Sequence, residues 1–259
     1  MSLLSKIKSK ASSTAVEQEE RLGGGGFHRA AGVYDMEIQL AYLTSAASGA
    51  VAVNYVLKDE KSEYRETVYI SNKEGENFYY KKDANGNPTD EQVLLPGYQQ
   101  LNSICLLTLD KPFDELEGEE RVVRIYDFDE KKEMPKTVEH LPELIGQTIK
   151  VAISDTLENK RKKNDATNKY EAIDETREVN QIEIVAHAES GATVTELRKM
   201  NDGEEIVLGS HITAWNDRYA GKQQDKRTIK DGNGGSAGKS GKPTPSASGE
   251  KKTSSLFKK

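Results

Sequence analysis

The stretch Ile149-Lys150-Val151-Ala152-Ile153-Ser154-Asp155-Thr156-Leu157 decides the fold class, because its apolar residues recur at alternate positions. Ile149, Val151, Ile153 and Leu157 fall on one side and Lys150, Ser154 and Thr156 on the other, the pattern of a strand with one buried face. Beyond it the chain turns basic at Lys160-Arg161-Lys162-Lys163, then reaches the turn formers Asn164 and Asp165, followed by Asn168, Lys169 and Tyr170. After a polar run the alternation resumes at Ile182, Ile184 and Ala186. The simplest arrangement is two antiparallel strands joined by a long, basic, tyrosine-bearing loop, with positive charge gathered at its tip. Such a loop suits an anionic polymer.

Upstream, Leu141, Pro142, Leu144, Ile145 and Gly146 predict a brief helix, proline near its start and glycine at its end, that delivers the chain into the Ile149 strand. Acidic Asp114 to Glu120 and charged Asp127 to Glu133 read as solvated loops around a short strand, Val122 to Tyr126. Pro96 and Gly97 open a helix with Leu101, Ile104, Cys105 and Thr108 at i, i+3, i+4 and i+7, a stripe that plugs a core. Nearer the start, Tyr34, Met36, Ile38, Leu40 and Tyr42 alternate strictly with polar or small residues, and Val51, Val53, Tyr55 and Leu57 do so after a small-residue turn, predicting a hairpin. A third run, Tyr64 to Ser71, puts Val68 and Ile70 on one face and Arg65, Thr67 and Tyr69 on the other.

Ser71 to Pro88 reads as a protruding loop carrying Phe78, Tyr79, Tyr80, Lys81 and Lys82. Rings beside lysines suit unpaired nucleic acid, since rings stack on any base while cations neutralise phosphates; the alternative is that the rings pack beneath the loop. Five or so strands paired as hairpins, with helices inserted before the fourth, predict a mainly β (α+β) chain: an OB-fold-like antiparallel β-barrel whose open face takes nucleic acid or oligosaccharide.

Composition bounds the reading. With 259 residues the chain can bury a core without staples, and the lone Cys105, set between Ile104 and Leu106, reads as a small core residue in a reducing compartment. The Leu3-Leu4 pair is too short for a signal-peptide core, and no segment approaches the roughly twenty apolar residues of a membrane helix. The net charge of −6 is unevenly spread: residues 222 to 259 hold ten Lys or Arg against three Asp or Glu, a net of +7, which leaves −13 on the first 221. An acidic body can bind a polyanion where its cations line one groove. His28, His140, His187 and His211 are dispersed, and one cysteine builds no zinc site, so neither catalysis, metal nor cofactor is expected. Gly23 to Gly26 lacks the flanking strand and Lys-Ser or Lys-Thr of a phosphate loop and reads as a hinge; Phe27, His28 and Arg29 after it either meet a ligand or staple the arm down. Trp215 is either a core anchor or a stacking ring.

Several runs carry a resemblance: Leu144-Ile145-Gly146-Gln147-Thr148-Ile149-Lys150-Val151, Glu158 to Asn164, Thr176 to Ile182, Pro96 to Cys105, and the ending Ser254-Ser255-Leu256-Phe257-Lys258-Lys259. From Gly32 onward the chain resembles the single-stranded DNA-binding proteins of tailed bacteriophages, most of all the group of coliphage N-four. The resemblance implies a protein of the infected bacterial cytoplasm that coats single-stranded DNA in replication and recombination. Phage replication proteins are implied partners, and host RNA polymerase a target of the C-terminal end. The basic tail departs from the acidic tail of many proteins of this functional class, and so implies acidic partners.

The chain divides into three regions: an arm with a glycine hinge at 1–31, an OB-like domain at 32–221, and a flexible basic tail at 222–259 whose Ser255, Leu256, Phe257, Lys258 and Lys259 form a docking motif. Candidate phosphate contacts are Arg65, Lys81, Lys82, Lys150, Lys160, Arg161, Lys162 and Lys163, and candidate stacking rings are Tyr69, Tyr79, Tyr80 and Tyr170. The rival expectation is an adaptor, a transcription coactivator that binds a polymerase directly, with DNA incidental. No oligomeric state follows from the sequence.

Overall fold

The computed structural model of the protein describes residues 28–127, 130 and 132–229. Gly32–Ser45 (β1), Val51–Lys58 (β2) and Glu63–Tyr69 (β3) form an antiparallel meander. Met36 and Ile38 enter the core, as their alternation predicts, but the register slips between Ile38 and Leu40, so that Ala41 rather than Tyr42 joins Tyr55 and Leu57 inside. A bulge sets two residues against one and reverses which side chains face inward, so the strict alternation through Tyr42 fails here. Its cause is local. A 3-10 turn at Pro142–Leu144 docks at the slip, with the Leu141 N–H donating to the Ala41 carbonyl and the Gly146 N–H to that of Ile38.

Ser71 to Pro88 is a loop only over 71–77 and in the turn 83–87. Phe78–Lys82 (β4) and Pro88–Leu94 (β5) pair as a separate two-stranded sheet. The Asp83 carboxylate accepts the N–H groups of Asn85 and Asn87, knitting a short turn between runs of strand formers. Pro96–Leu109 (α1) comes next and buries Leu101, Ile104 and Cys105. Gly97 lies so close to β3 that a Cβ there would overlap the Tyr69 carbonyl oxygen. The short strand expected at Val122 to Tyr126 is present and longer, Glu119–Asp127 (β6), and it pairs along its length with Lys132–His140 (β7), so that the ends of the two charged segments read as loops belong to strands. Their charge misleads because these strands keep much of both faces in water, which leaves no alternation to detect.

Thr148–Asn164 (β8) and Lys169–His187 (β9) replace the predicted long loop: the basic residues 160–163 belong to a strand, and only 165–168 turn. Nor is the Ile149 strand half-buried. Ile149, Val151 and Ile153 enter the main core, while Ala152 on the opposite face packs with Ala186 and Ile212 under Ser210–Tyr219, the third helix. Strand β8 thus runs between two apolar layers, which explains why Ser154 and Thr156 are buried too. The second helix, Val194–Asn201 (α2), and the third (α3) had no counterpart in the predicted elements. A capping box, Thr193 with Glu196, marks the start of α2 and is readable in sequence.

Two compact units result: the described residues up to Asp155 with Val179–Gln223, and Thr156–Glu178 with the described residues from Gln224. In the first, the sheet carries the order β3-β2-β1-β8, with β9 on β8 and β7 on β1. Among the described residues no backbone pairing joins β3 to β9. Side chains bridge that seam instead. The Arg29 N–H donates to Asn180 while its guanidinium meets Asp59 at 2.5 Å, and Glu66 accepts from the Ile182 N–H at 3.1 Å and the Tyr64 hydroxyl at 2.8 Å. Burial pushes the Glu66 carboxyl up to about 7, against the pull of those two donors. Among the described residues no helix is long and apolar enough to cross a membrane.

Candidate nucleic-acid interface

Because β1 bulges, the outward rows of the first unit are set by register rather than by simple alternation. Arg65 pairs with Val56, Thr67 with Asn54 and Tyr69 with Ala52, while Asn54 in turn faces Tyr42, and Tyr42 faces His140 on β7. Arg65 and Tyr69 therefore share one face of β3, as expected, with Tyr69 56% exposed. The floor between strands is polar and ordered: Asn54 donates to Thr44 and accepts from Thr67. Arg65 and Lys136 both lie near the buried Tyr42, where their charge opposes the rise that burial imposes on its hydroxyl. His140 is held neutral at pH 7, because burial, aided by Arg121, lowers its pKa. A groove of about 530 Å³ lined by Thr44, Val51, Ile125 and Lys136 continues this face onto the β6–β7 hairpin. Arg121, Lys136 and Asn54 were missed as candidates. Arg121 and Lys136 fell outside every predicted element, and Asn54 lay on the polar side of the predicted Val51 strand, but its partners Thr67 and Tyr42 became visible only through the register.

The hairpin of β4 and β5 holds the next group together. Tyr79 and Tyr80 are 47% and 46% exposed and point to opposite faces, so both faces of the ribbon offer a ring. Phe78 braces Tyr80 edge-on, with ring centroids 5.7 Å apart. Lys81 is engaged by Glu91 at 3.0 Å, whereas Lys82 is exposed with no ion pair among the described residues. The rings do not pack beneath a loop.

In the second unit, Lys160 to Lys163 lie along β8 and alternate in direction, and Tyr170 on β9 is 67% exposed. Lys160 bonds Glu175 at 2.9 Å, and Lys160 with Lys162 holds that carboxyl below its usual range. Arg161 and Lys163 are exposed without an ion pair among the described residues. Gln223–Asp225 (β10) pairs with β8, and Asn159 clamps the chain just beyond β10: its carbonyl accepts from the N–H groups of Thr228 and Ile229, and its amide donates to the Ile229 carbonyl. Residues 223–229, assigned to the tail by composition, are thus part of the fold.

Lys150 does not fit its predicted role. Its ammonium is bonded to Asp35 across β1, and its side chain is largely covered near Gly191. Trp215 packs with Ile212 on Ala152 and Ala186, the anchor of the two readings. His28 lies 2.8 Å from Asp155, and with the buried Arg29 it staples the start of the described chain. Cys105 is buried, and burial pushes its thiol up to about 12, so it is inert. The docking motif Ser255 to Lys259 and the arm before His28 lie outside the described residues. Comparison with models of protein families, with curated proteins and with solved structures finds no match to this chain.

Proposed function

We propose that the protein binds single-stranded DNA on the outer face of β1, β2 and β3, with the β4–β5 hairpin as an adjoining stacking arm. One observation carries the reading: among the described side chains, the large aromatic residues most open to water are Tyr69, Tyr79, Tyr80 and Tyr170, and each stands near a lysine or arginine on its own strand. Exposed rings leave apolar area in water, and a base stacked on each would cover it, at about 1–3 kcal/mol per base. The order β3-β2-β1-β8-β9 with a helix after β3 supports our assignment to the OB type, left open between β3 and β9. A role in phage replication and recombination inside the infected bacterium, with host RNA polymerase met by the C-terminal residues, is the biological setting we assign on the resemblance.

Titration of labelled oligothymidylate with the full-length protein and with a chain ending at Ile229, which keeps the Asn159 clamp, tests the reading. Both are expected to bind, with affinity falling steeply in salt, and Tyr69→Ala should weaken binding roughly tenfold. Binding by the full-length protein alone would leave the affinity to the basic tail and favour the adaptor.

A further inference from the structure

The edge of β9 that faces away from β8 and one side of α1 enclose a cleft of about 470 Å³ that the outer face does not include. Five consecutive residues, Gln181 to Val185, line it, so the strand presents its edge there rather than one face. Val68 and Ile184 supply apolar surface, and Gln100, Ser103 and Gln181 supply amides and a hydroxyl. Among the described residues no lysine or arginine lines it, and Glu183 does, so a phosphate is disfavoured. A flat, neutral, hydrogen-bonding ring suits such walls. The Gln100 Nε2 has no hydrogen-bond partner among the described residues and is closed to solvent in this conformation, so turning the amide into the cleft would let it donate to an incoming carbonyl oxygen. The cleft also begins where strand contact is already proposed: Gly97, on its wall, touches the backbone of Tyr69.

We propose that this cleft receives one unpaired nucleobase of the strand that stacks on Tyr69, a base with an exocyclic carbonyl such as thymine, held by Gln100 and Ser103. The inference rests on the single-strand reading and adds a base-dependent element to a surface that otherwise takes any sequence.

The probes are an oligothymidylate of about 12 nucleotides, within the usual range for one OB domain, and the same backbone made abasic. Gln100→Leu removes the donor, and Ser103→Phe fills the cleft. Both variants are expected to bind oligothymidylate at least fivefold more weakly than the wild type, with an unchanged salt slope and unchanged affinity for the abasic strand. Wild-type affinity for oligothymidylate in both variants, or an equal loss on both strands, would overturn the cleft assignment. A wild type that binds neither strand would instead overturn the single-strand reading beneath it.

Discussion

Two buried carboxyl groups respond to pH in opposite senses, and each reports on a joint of the fold. Glu66 sits at the seam between β3 and β9, and burial raises it from 4.5 to about 7. The folded state therefore holds its proton more tightly than the unfolded chain, so this stability is full below about pH 4.5 and is lost as pH rises through 7. Glu66→Gln keeps an acceptor for the Ile182 N–H without the charge. It should flatten the fall in stability between pH 5 and 8, a difference on the order of 3 kcal/mol, in urea unfolding at those two pH values. Parallel pH profiles for variant and wild type would remove Glu66 from the seam. Glu196 behaves oppositely. Burial would raise it, but donors from Thr193, Ser210 and His211 hold it down at about 2, so its contribution is present above pH 4.5 and disappears as pH falls through 2. Since this one carboxylate caps both α2 and α3, Glu196→Ala should cost about 3 kcal/mol at pH 7. Thermal unfolding measures that loss, and a change under 1 kcal/mol would show the two caps to be dispensable.

At the scale of elements, the two hairpins offer cations and rings in different states of commitment. Lys160 is already held by Glu175, whereas Arg161 and Lys163 are not ion-paired among the described residues. Arg161→Ala with Lys163→Ala should therefore lower the salt slope of single-strand binding by roughly 1.4, about 0.7 per phosphate contact, and Lys160→Ala by less. An unchanged slope in the double variant would move the phosphate contacts off the ribbon. The elements also show where sequence was legible. The β1–β2 hairpin and α1 could be read because each has one buried side, whose period of two or of 3.6 survives in the residue order. Of hairpins β4–β5 and β6–β7 only the middle of β6, Val122 to Tyr126, could be read, since strands wet on both faces carry no such period, and aromatic or charged residues then resemble loops. Strand β8 misleads for the opposite reason: α3 covers its second face, and Ala152 gives no hint that it is buried. The bulge after Ile38 depends on a turn from a hundred residues downstream, beyond the reach of local pattern. For the site, Arg65, Tyr69, Tyr79, Tyr80 and Tyr170 were legible as exposed residues, while the ion pair that occupies Lys150 needed the β1–β8 register.

For the whole molecule, the net charge of −6 makes binding of a polyanion a matter of local arrangement. Ion pairs such as Arg65 with Glu63 and Lys81 with Glu91 are exposed and individually weak, so phosphates can displace their carboxylates at little cost. Salt competes for the same cations. With about three phosphate contacts, raising salt from about 50 to 200 mM should weaken binding roughly 20-fold, as anisotropy of a labelled strand would record. An affinity indifferent to salt would exclude phosphate recognition by these surfaces. The most direct test of the central claim is ultraviolet cross-linking of oligothymidylate to the full-length protein, with the modified residues identified by mass spectrometry. Cross-links at Tyr69 and at Tyr79 or Tyr80, lost in excess unlabelled strand, are the predicted result; cross-links confined to residues beyond Ile229 would contradict it.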